Sequence, residues 1–234
     1  MKSGTLYGLS VGPGDPELLT IKALKILNMV EVLAYPAPES GKSLAREIVC
    51  KYIKKPYTEI AIRMPLDASK FPAEKVYSDA AKEISNHLNL GSNVAVLCEG
   101  DSFFYGSFLY LYELLAIKHK ITVIPGVSSP MASAAALGKP LAAKNDCLIV
   151  LPATLSEDQL LSRMEKADSI VLIKVGRHIN KVISALKKAD LYKNAHYIER
   201  VGMAKEKIIP LSKAPSLAPY FSIILTHRRG TAWQ

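Results

Sequence analysis

Cysteine is scarce in this 234-residue chain: Cys50, Cys98 and Cys147 stand far apart, with no CxxC pair and no Cys/His cluster at zinc spacing. That scarcity argues against a disulfide framework and against a cysteine-held metal, and it fits free thiols in a reducing cytoplasm. No stretch approaches the roughly 20 apolar residues needed to span a bilayer. No apolar run behind a basic flank marks a secretory signal. The expectation is a soluble, cytoplasmic protein without a membrane partner. Ser-His-Asp orderings, metal-ligand spacings and paired-carboxylate patterns are also missing, so no metal site is expected and the sequence names no catalytic residue.

What is present is a core. Apolar residues make up 49% of the chain, enough for one large domain or two small ones. The net charge of +9 raises the local concentration of any anionic partner, whether a nucleic acid or a polycarboxylate. Lys and Arg are spread along the whole length. They form no basic stripe interleaved with stacking aromatics, so nucleic acid is not the expected partner.

Strand-like and helix-like runs alternate through the first half. Thr5–Val11, Val30–Tyr35, Thr58–Arg63, Asn93–Cys98 and Ile121–Ile124 read as strands. Leu18–Leu27, Ser43–Tyr52, Pro72–Asn89 and Ser107–Lys118 carry apolar residues at helical spacing. This predicts an α/β domain with a mostly parallel sheet. After Pro125-Gly126 comes a small-residue helix, Val127–Leu137. Strands then crowd together at Cys147–Leu151, Ser169–Val175, Ala195–Glu199, Lys207–Leu211 and Phe221–Thr226, which predicts a mixed sheet. The expected domains are 1–124 and 125–234. The tail His227-Arg228-Arg229-Gly230 reads as frayed.

Four glycine-centred segments recur at strand ends: Gly12–Pro16, Glu99–Ser107, Pro125–Ser129 and Lys174–His178. Gly12 and Gly14 let the first turn reverse tightly, and Pro13 and Pro16 stiffen it. Ligands of open α/β sheets sit beyond the carboxyl ends of the strands, so four such loops can line one cleft. Gly-Pro-Gly-Asp-Pro-x-Leu-Leu-Thr-x-Lys-Ala, Gly-Asp-x-x-x-Tyr-Gly and Pro-Gly-Val-Ser-Ser resemble the tetrapyrrole methyltransferases that use S-adenosylmethionine. Cys98–Phe108, Val150–Leu155, Lys174–Arg177 and Tyr220–Ile224 resemble in particular the precorrin-2 C(20)-methyltransferases of cobalamin synthesis. The likeness runs in order from Leu6 to about Thr226. No Gly-x-Gly-x-Gly loop of the Rossmann-type methyltransferases occurs.

The resemblance implies two αβα domains with the cofactor in the cleft between them, a homodimer, and a tetrapyrrole substrate. It implies S-adenosylmethionine as methyl donor, with S-adenosylhomocysteine as product. Pro13, Gly100, Asp101 and Phe104 are the implied cofactor contacts in the first domain. Ser128 and Ser129 offer N–H groups at a helix start to the methionine carboxylate, and Val175, Val201 and Gly202 are later cofactor-lining positions. Gly14 and Asp15 are implied on the substrate side. Arg46, Arg63, Lys144 and Arg177 are candidates for holding substrate carboxylates, since arginine forks pair with carboxylates at two points. Capping a turn or helix is the other role open to Asp15 and, with less weight, to Asp101. Two positions depart from the family pattern. Ser102 replaces the proline of Gly-Asp-Pro, which is expected to loosen its loop. Val201-Gly202-Met203 replaces Ala-Thr-Met, losing a hydroxyl.

The expected reaction is methylation of carbon 20 of precorrin-2. The alternative is the same step on the cobalt-loaded tetrapyrrole. Relatives that methylate a ribosomal RNA ribose, or a modified histidine of elongation factor 2, lack likeness to Cys98–Phe108 and Val150–Leu155. A catalytically idle binding module is the reading from another class.

Overall fold

The computed structural model describes residues 3–65 and 74–232. The chain divides into two compact units, Met1–Ser128 and Ser129–Gln234, four residues beyond the junction expected at 124/125.

Unit 1 runs β1 (Leu6–Ser10), α1 (Ile21–Met29), β2 (Val32–Pro38), α2 (Leu44–Ile48), β3 (Thr58–Met64), α3 (Glu74–Asn89), β4 (Val94–Cys98), α4 (Phe108–Leu115) and β5 (Ile121–Ile124). Each strand was legible as an apolar run. The first helix starts later than its apolar spacing suggests, because Thr20 is extended and its hydroxyl accepts the Ala23 N–H at 3.1 Å as an N-cap. The start of the helix expected from Pro72 lies outside the described residues, and α3 buries Tyr77, Ala80, Ala81, Ile84 and Leu88.

The sheet order is β3-β2-β4-β1-β5, and every pairing is parallel. From β1 the chain moves toward β2; from β4 it moves the other way, to β5. Ala23 and Leu27 of α1 and Ala45 and Ile48 of α2 pack on one face, while α3 and α4 pack on the other. The carboxyl ends of β1 and β4 therefore form a topological switch point, where loops diverge and leave a crevice.

Unit 2 runs α5 (Ser129–Leu137), β6 (Leu148–Pro152), α6 (Glu157–Met164), β7 (Ser169–Ile173), α7 (Ile179–Lys188), β8 (His196–Glu199), β9 (Lys207–Pro210) and β10 (Ser222–His227). Its sheet order is β6-β7-β10-β8-β9. The β6–β7 pairing is parallel and the others are antiparallel, so the sheet is mixed. Leu160 and Met164 of α6 and Ile179, Val182, Ala185 and Leu186 of α7 share one core over the sheet. Ser156 and Gln159 form a reciprocal capping box that fixes the start of α6.

The tail is not frayed. Arg228 donates from Nε to the Ala167 carbonyl at 3.1 Å and from Nη2 to the Met164 carbonyl at 2.8 Å, satisfying carbonyls at the end of α6. Arg229 reaches Asp146 at 2.5 Å. The buried His227 accepts the Arg229 N–H on Nδ1, so its Nε2 carries the proton donated to Asp146 Oδ2 at 3.2 Å. Charged residues at the end of a strand read as solvated; here their donors match carbonyls and acids that only the folded unit presents.

The Asp146 carboxyl is held down to about 2 by the Ala143 N–H, by Arg229 and by His227. Its folded pKa lies below the unfolded value of about 3.9, so its stabilisation is complete above that pH and is lost as pH falls through the folded value. Asp146→Asn should lower Tm by a constant amount above about pH 5, and the difference should shrink as the pH approaches 2. Thermal melts across this range check it; a pH-independent difference would refute the carboxylate's role.

Candidate active site at the carboxyl ends of the strands

Three loops of unit 1 are joined at the switch point. Gly12 and Gly100 exchange backbone hydrogen bonds, Gly12 N–H to Gly100 O at 3.2 Å and Gly100 N–H to Gly12 O at 2.8 Å. Gly126, after β5, lies against Ser10 and Gly100: a Cβ there would come within 2.5 Å of Ser10 Cβ and 2.6 Å of Gly100 O. The backbone has to pass too closely for any side chain.

Asp101 is the tie between the second and third loops. Its Oδ1 accepts the Phe103 N–H and its Oδ2 accepts the Gly126 N–H, both at 2.9 Å. Each oxygen retains a lone pair for a further donor, so the cap role and a ligand role are compatible. Asp15 also caps: its Oδ1 accepts the Glu17 N–H at 2.8 Å at the head of the Pro16–Leu18 turn. Pro13 is buried beside it, and Gly14 is half-buried. Phe104 is half-buried, with its ring edge-on to Tyr105 at 5.1 Å. Tyr105 holds φ at +56°, an uncommon conformation for a bulky residue and one that concentrates at functional loops.

Ser102 does not loosen the loop. It is fully buried, its N–H donates to Ser10 Oγ at 2.8 Å, and the two hydroxyls are 2.9 Å apart. A proline at this position could not make the first bond. Pinning by Ser10 replaces stiffening by a ring.

In unit 2, Val175 is fully buried after β7 and is followed by the Gly176–His178 turn that leads into α7. Arg177 is exposed, contacts His178 at 3.5 Å, and has no carboxylate partner among the described residues. Burial, then the charges of Lys181 and Arg177, lower the His178 pKa, as expected in a positively charged corner. At the carboxyl end of β8, Val201 is buried and Gly202 holds φ at +74° while donating its N–H to Glu206 at 2.7 Å. A β-branched threonine would be strained at that φ, so the missing hydroxyl follows from the backbone path. Ser128 is buried at the end of unit 1, and Ser129 opens α5.

The basic candidates separate. Arg46 is committed to Glu59, with Nη2 to Oε1 at 2.8 Å and Nε shared between both oxygens at 3.2 Å. Arg63 donates to the Pro38 and Gly41 carbonyls, each at 3.0 Å, and so holds the loop ahead of α2. Neither arginine is a free fork. Lys144 precedes β6, at the amino end of the strands, whereas Val175 and Arg177 follow the carboxyl end of β7, which is parallel to β6. Lys144 is therefore not brought together with them. Glu99, which composition and spacing did not single out, follows β4 and accepts the Ala45 N–H on Oε1 at 3.2 Å; burial raises its pKa.

The chain belongs to the Tetrapyrrole (Corrin/Porphyrin) Methylases, matching that family over residues 5–215. It is 37% identical over 231 residues to the precorrin-2 C(20)-methyltransferase of a Sinorhizobium species, covering 95% of this chain and 94% of that one. It is also 37% identical to the cobalamin biosynthesis protein CobIJ of Mycobacterium tuberculosis, covering 95% of this chain but 46% of that protein, so it spans about half of that relative. Its fold is that of the uroporphyrin-III C-methyl transferase from Thermus thermophilus complexed with S-adenyl homocysteine, with a TM-score of 0.70 at 20% identity over 96% of this chain and 92% of that one.

Removing the Ser10 hydroxyl orphans the Ser102 N–H and Oγ in a dry site, at a cost of about 1–3 kcal/mol. Ser10→Ala should accordingly lower the urea midpoint of unfolding and speed amide exchange at Ser102. Wild-type values for both would mean that the serine pair does not hold the loop.

Proposed function

We propose that this chain is a methyltransferase that adds a methyl group to carbon 20 of precorrin-2 in cobalamin biosynthesis. The observation that carries the reading is the near full-length likeness to a relative of that name, together with the Cys98–Phe108 string whose loop is described above. No helix among the described residues is long and apolar enough to cross a membrane, which is compatible with a cytoplasmic place of action.

The site suits S-adenosylmethionine. In unit 1 the loop ends present main chain, with Asp101 as their acceptor side chain, which fits a cofactor recognised through backbone groups and a hydroxyl or amine. Pro13, Gly100, Asp101 and Phe104 would hold it there; Ser128, Ser129, Val175, Val201 and Gly202 are the remaining assigned contacts. When bound, the cofactor supplies an activated methyl group, and the protein orients the partners and excludes water. Gly14 and Asp15 are assigned to the substrate side, together with Arg177, whose charge no acid offsets among the described residues.

The assembly proposed is a homodimer. The outer side of α4 and the turn after it leave Tyr110, Leu114 and Ile117 exposed at helical spacing, an apolar row that a second copy would cover. Light scattering at working concentration should give twice the chain mass; a monomer would remove this part.

The deciding assay supplies S-adenosylmethionine with precorrin-2 and, separately, with its cobalt form, and reads product mass. One added methyl on the metal-free substrate is expected. Arg177→Ala should raise the substrate KM about 10-fold or more, the worth of one charged hydrogen bond, with cofactor affinity unchanged. No methyl on either tetrapyrrole would refute the assignment.

A further inference from the structure

Unit 2 holds a cavity at the end of its sheet opposite to Val175 and Gly202. Ser169 opens β7 and His196 opens β8, while Thr226 and His227 close β10, which is antiparallel to both; all four line it. The space, open at its mouth, is about 330 Å³, the lower end of small-ligand clefts. Leu137, Leu141 and Leu225 give it an apolar wall, and Lys139 and His196 bring it positive charge. Among the described residues no acid lines it.

Local structure fixes both basic groups in place. Gly138, at φ +69°, ends α5 in a Schellman turn: its N–H donates to Ala135 O and that of Lys139 to Ala134 O, each at 3.1 Å. Pro140 cannot continue the helix, so Lys139 is held where the chain turns away. Among the described residues its ammonium has neither an ion-pair nor a hydrogen-bond partner. His196 donates from Nδ1 to the Asn194 carbonyl at 3.1 Å, which leaves Nε2 for a ligand. Asn194 is anchored in turn by the His227 and Arg228 carbonyls, at 3.4 and 3.3 Å.

The charged and titratable groups on elements packed against His196 are mostly basic. They are Lys139 after α5, Tyr192 and Lys193 in the turn before β8, Lys213 after β9, and His227 and Arg228 at the end of β10. The acids at this end are committed: Asp146 to the Ala143 N–H, His227 and Arg229, and Asp168 to the Cys147 N–H and Arg229. Burial, then the charge of Lys139, lower the His196 pKa. Two like charges pressed together with no acid on the wall favour an anion between them.

We propose that this cavity is a second ligand site, taking a small organic carboxylate whose oxygens meet Lys139 and protonated His196 and whose carbon body lies against Leu137, Leu141 and Leu225. It lies a strand's length from the loops assigned to the cofactor, and the inference does not depend on the methyltransferase reading. Such a ligand binds the protonated ring better, so its affinity falls as pH rises through the His196 pKa. By reciprocity, saturating ligand raises that pKa.

The test titrates the labelled full chain with butyrate, at ionic strength held constant with chloride, and follows the His196 imidazole by NMR. The shift should saturate, and His196 should titrate at higher pH with butyrate than without. Lys139→Gln should weaken butyrate about 10-fold or more, the worth of one charged contact, with Tm unchanged. Acetate, two methylenes shorter, should bind about 10-fold more weakly than butyrate. His196→Gln should still bind butyrate, without the pH dependence. A shift that never saturates, wild-type affinity in Lys139→Gln, or equal affinity for acetate and butyrate overturns the proposal.

Discussion

The carboxylate of Asp101 holds the loops of unit 1 in place. With one oxygen on the Phe103 N–H and the other on the Gly126 N–H, it fastens the chain leaving β4 to the chain leaving β5. The Gly12–Gly100 bridge fastens the same loop to the chain leaving β1. Loops at a switch point diverge by topology, since their helices depart to opposite faces. Without such ties the three would be separate mobile turns. The tight approach at Gly126 and the serine pair Ser10–Ser102 follow from joining them so closely.

The positive charge of this chain is used unevenly. Arg46, Arg63, Arg228 and Arg229 are structural: they anchor a short helix, a loop, a helix end and the tail. An arginine fork satisfies carbonyls as well as it does carboxylates, so net charge alone overstates what is left for an anionic ligand. Arg177 stands apart because it lies at the carboxyl end of a strand with no acid beside it among the described residues.

Much of this was legible in the sequence. The strands announced themselves as apolar runs, and the glycine motifs marked the strand ends where Gly12, Gly100 and Gly176 are found. The mixed second sheet followed from strands too closely spaced for parallel crossovers. What escaped depends on long-range pairing. Arg46 and Glu59 are 13 positions apart, Arg229 and Asp146 are 83 apart, and no local pattern joins them. Glu99 looks like a solvated acid until the helix over it is known. Ser102 read as a defect in a proline position because its partner Ser10 is 92 residues distant. The helices α6 and α7 did carry local signals, a Ser156/Gln159 capping box and an Ile179–Val182–Leu186 stripe, that the crowding of strands obscured.

The position of β10 bears on how the chain emerges during synthesis. It is the central strand of the second sheet, yet it follows β6, β7, β8 and β9 in sequence. Those four strands cannot assemble as two pairs on either side of a gap, so the second sheet must wait for its last strand. All strands of the first sheet precede Ser128, about 100 residues earlier, which at about 5–20 residues per second is a delay of about 5–20 s. For that interval one folded unit is tethered to an incomplete sheet with exposed strand edges. A ribosome-bound chaperone would be most needed then.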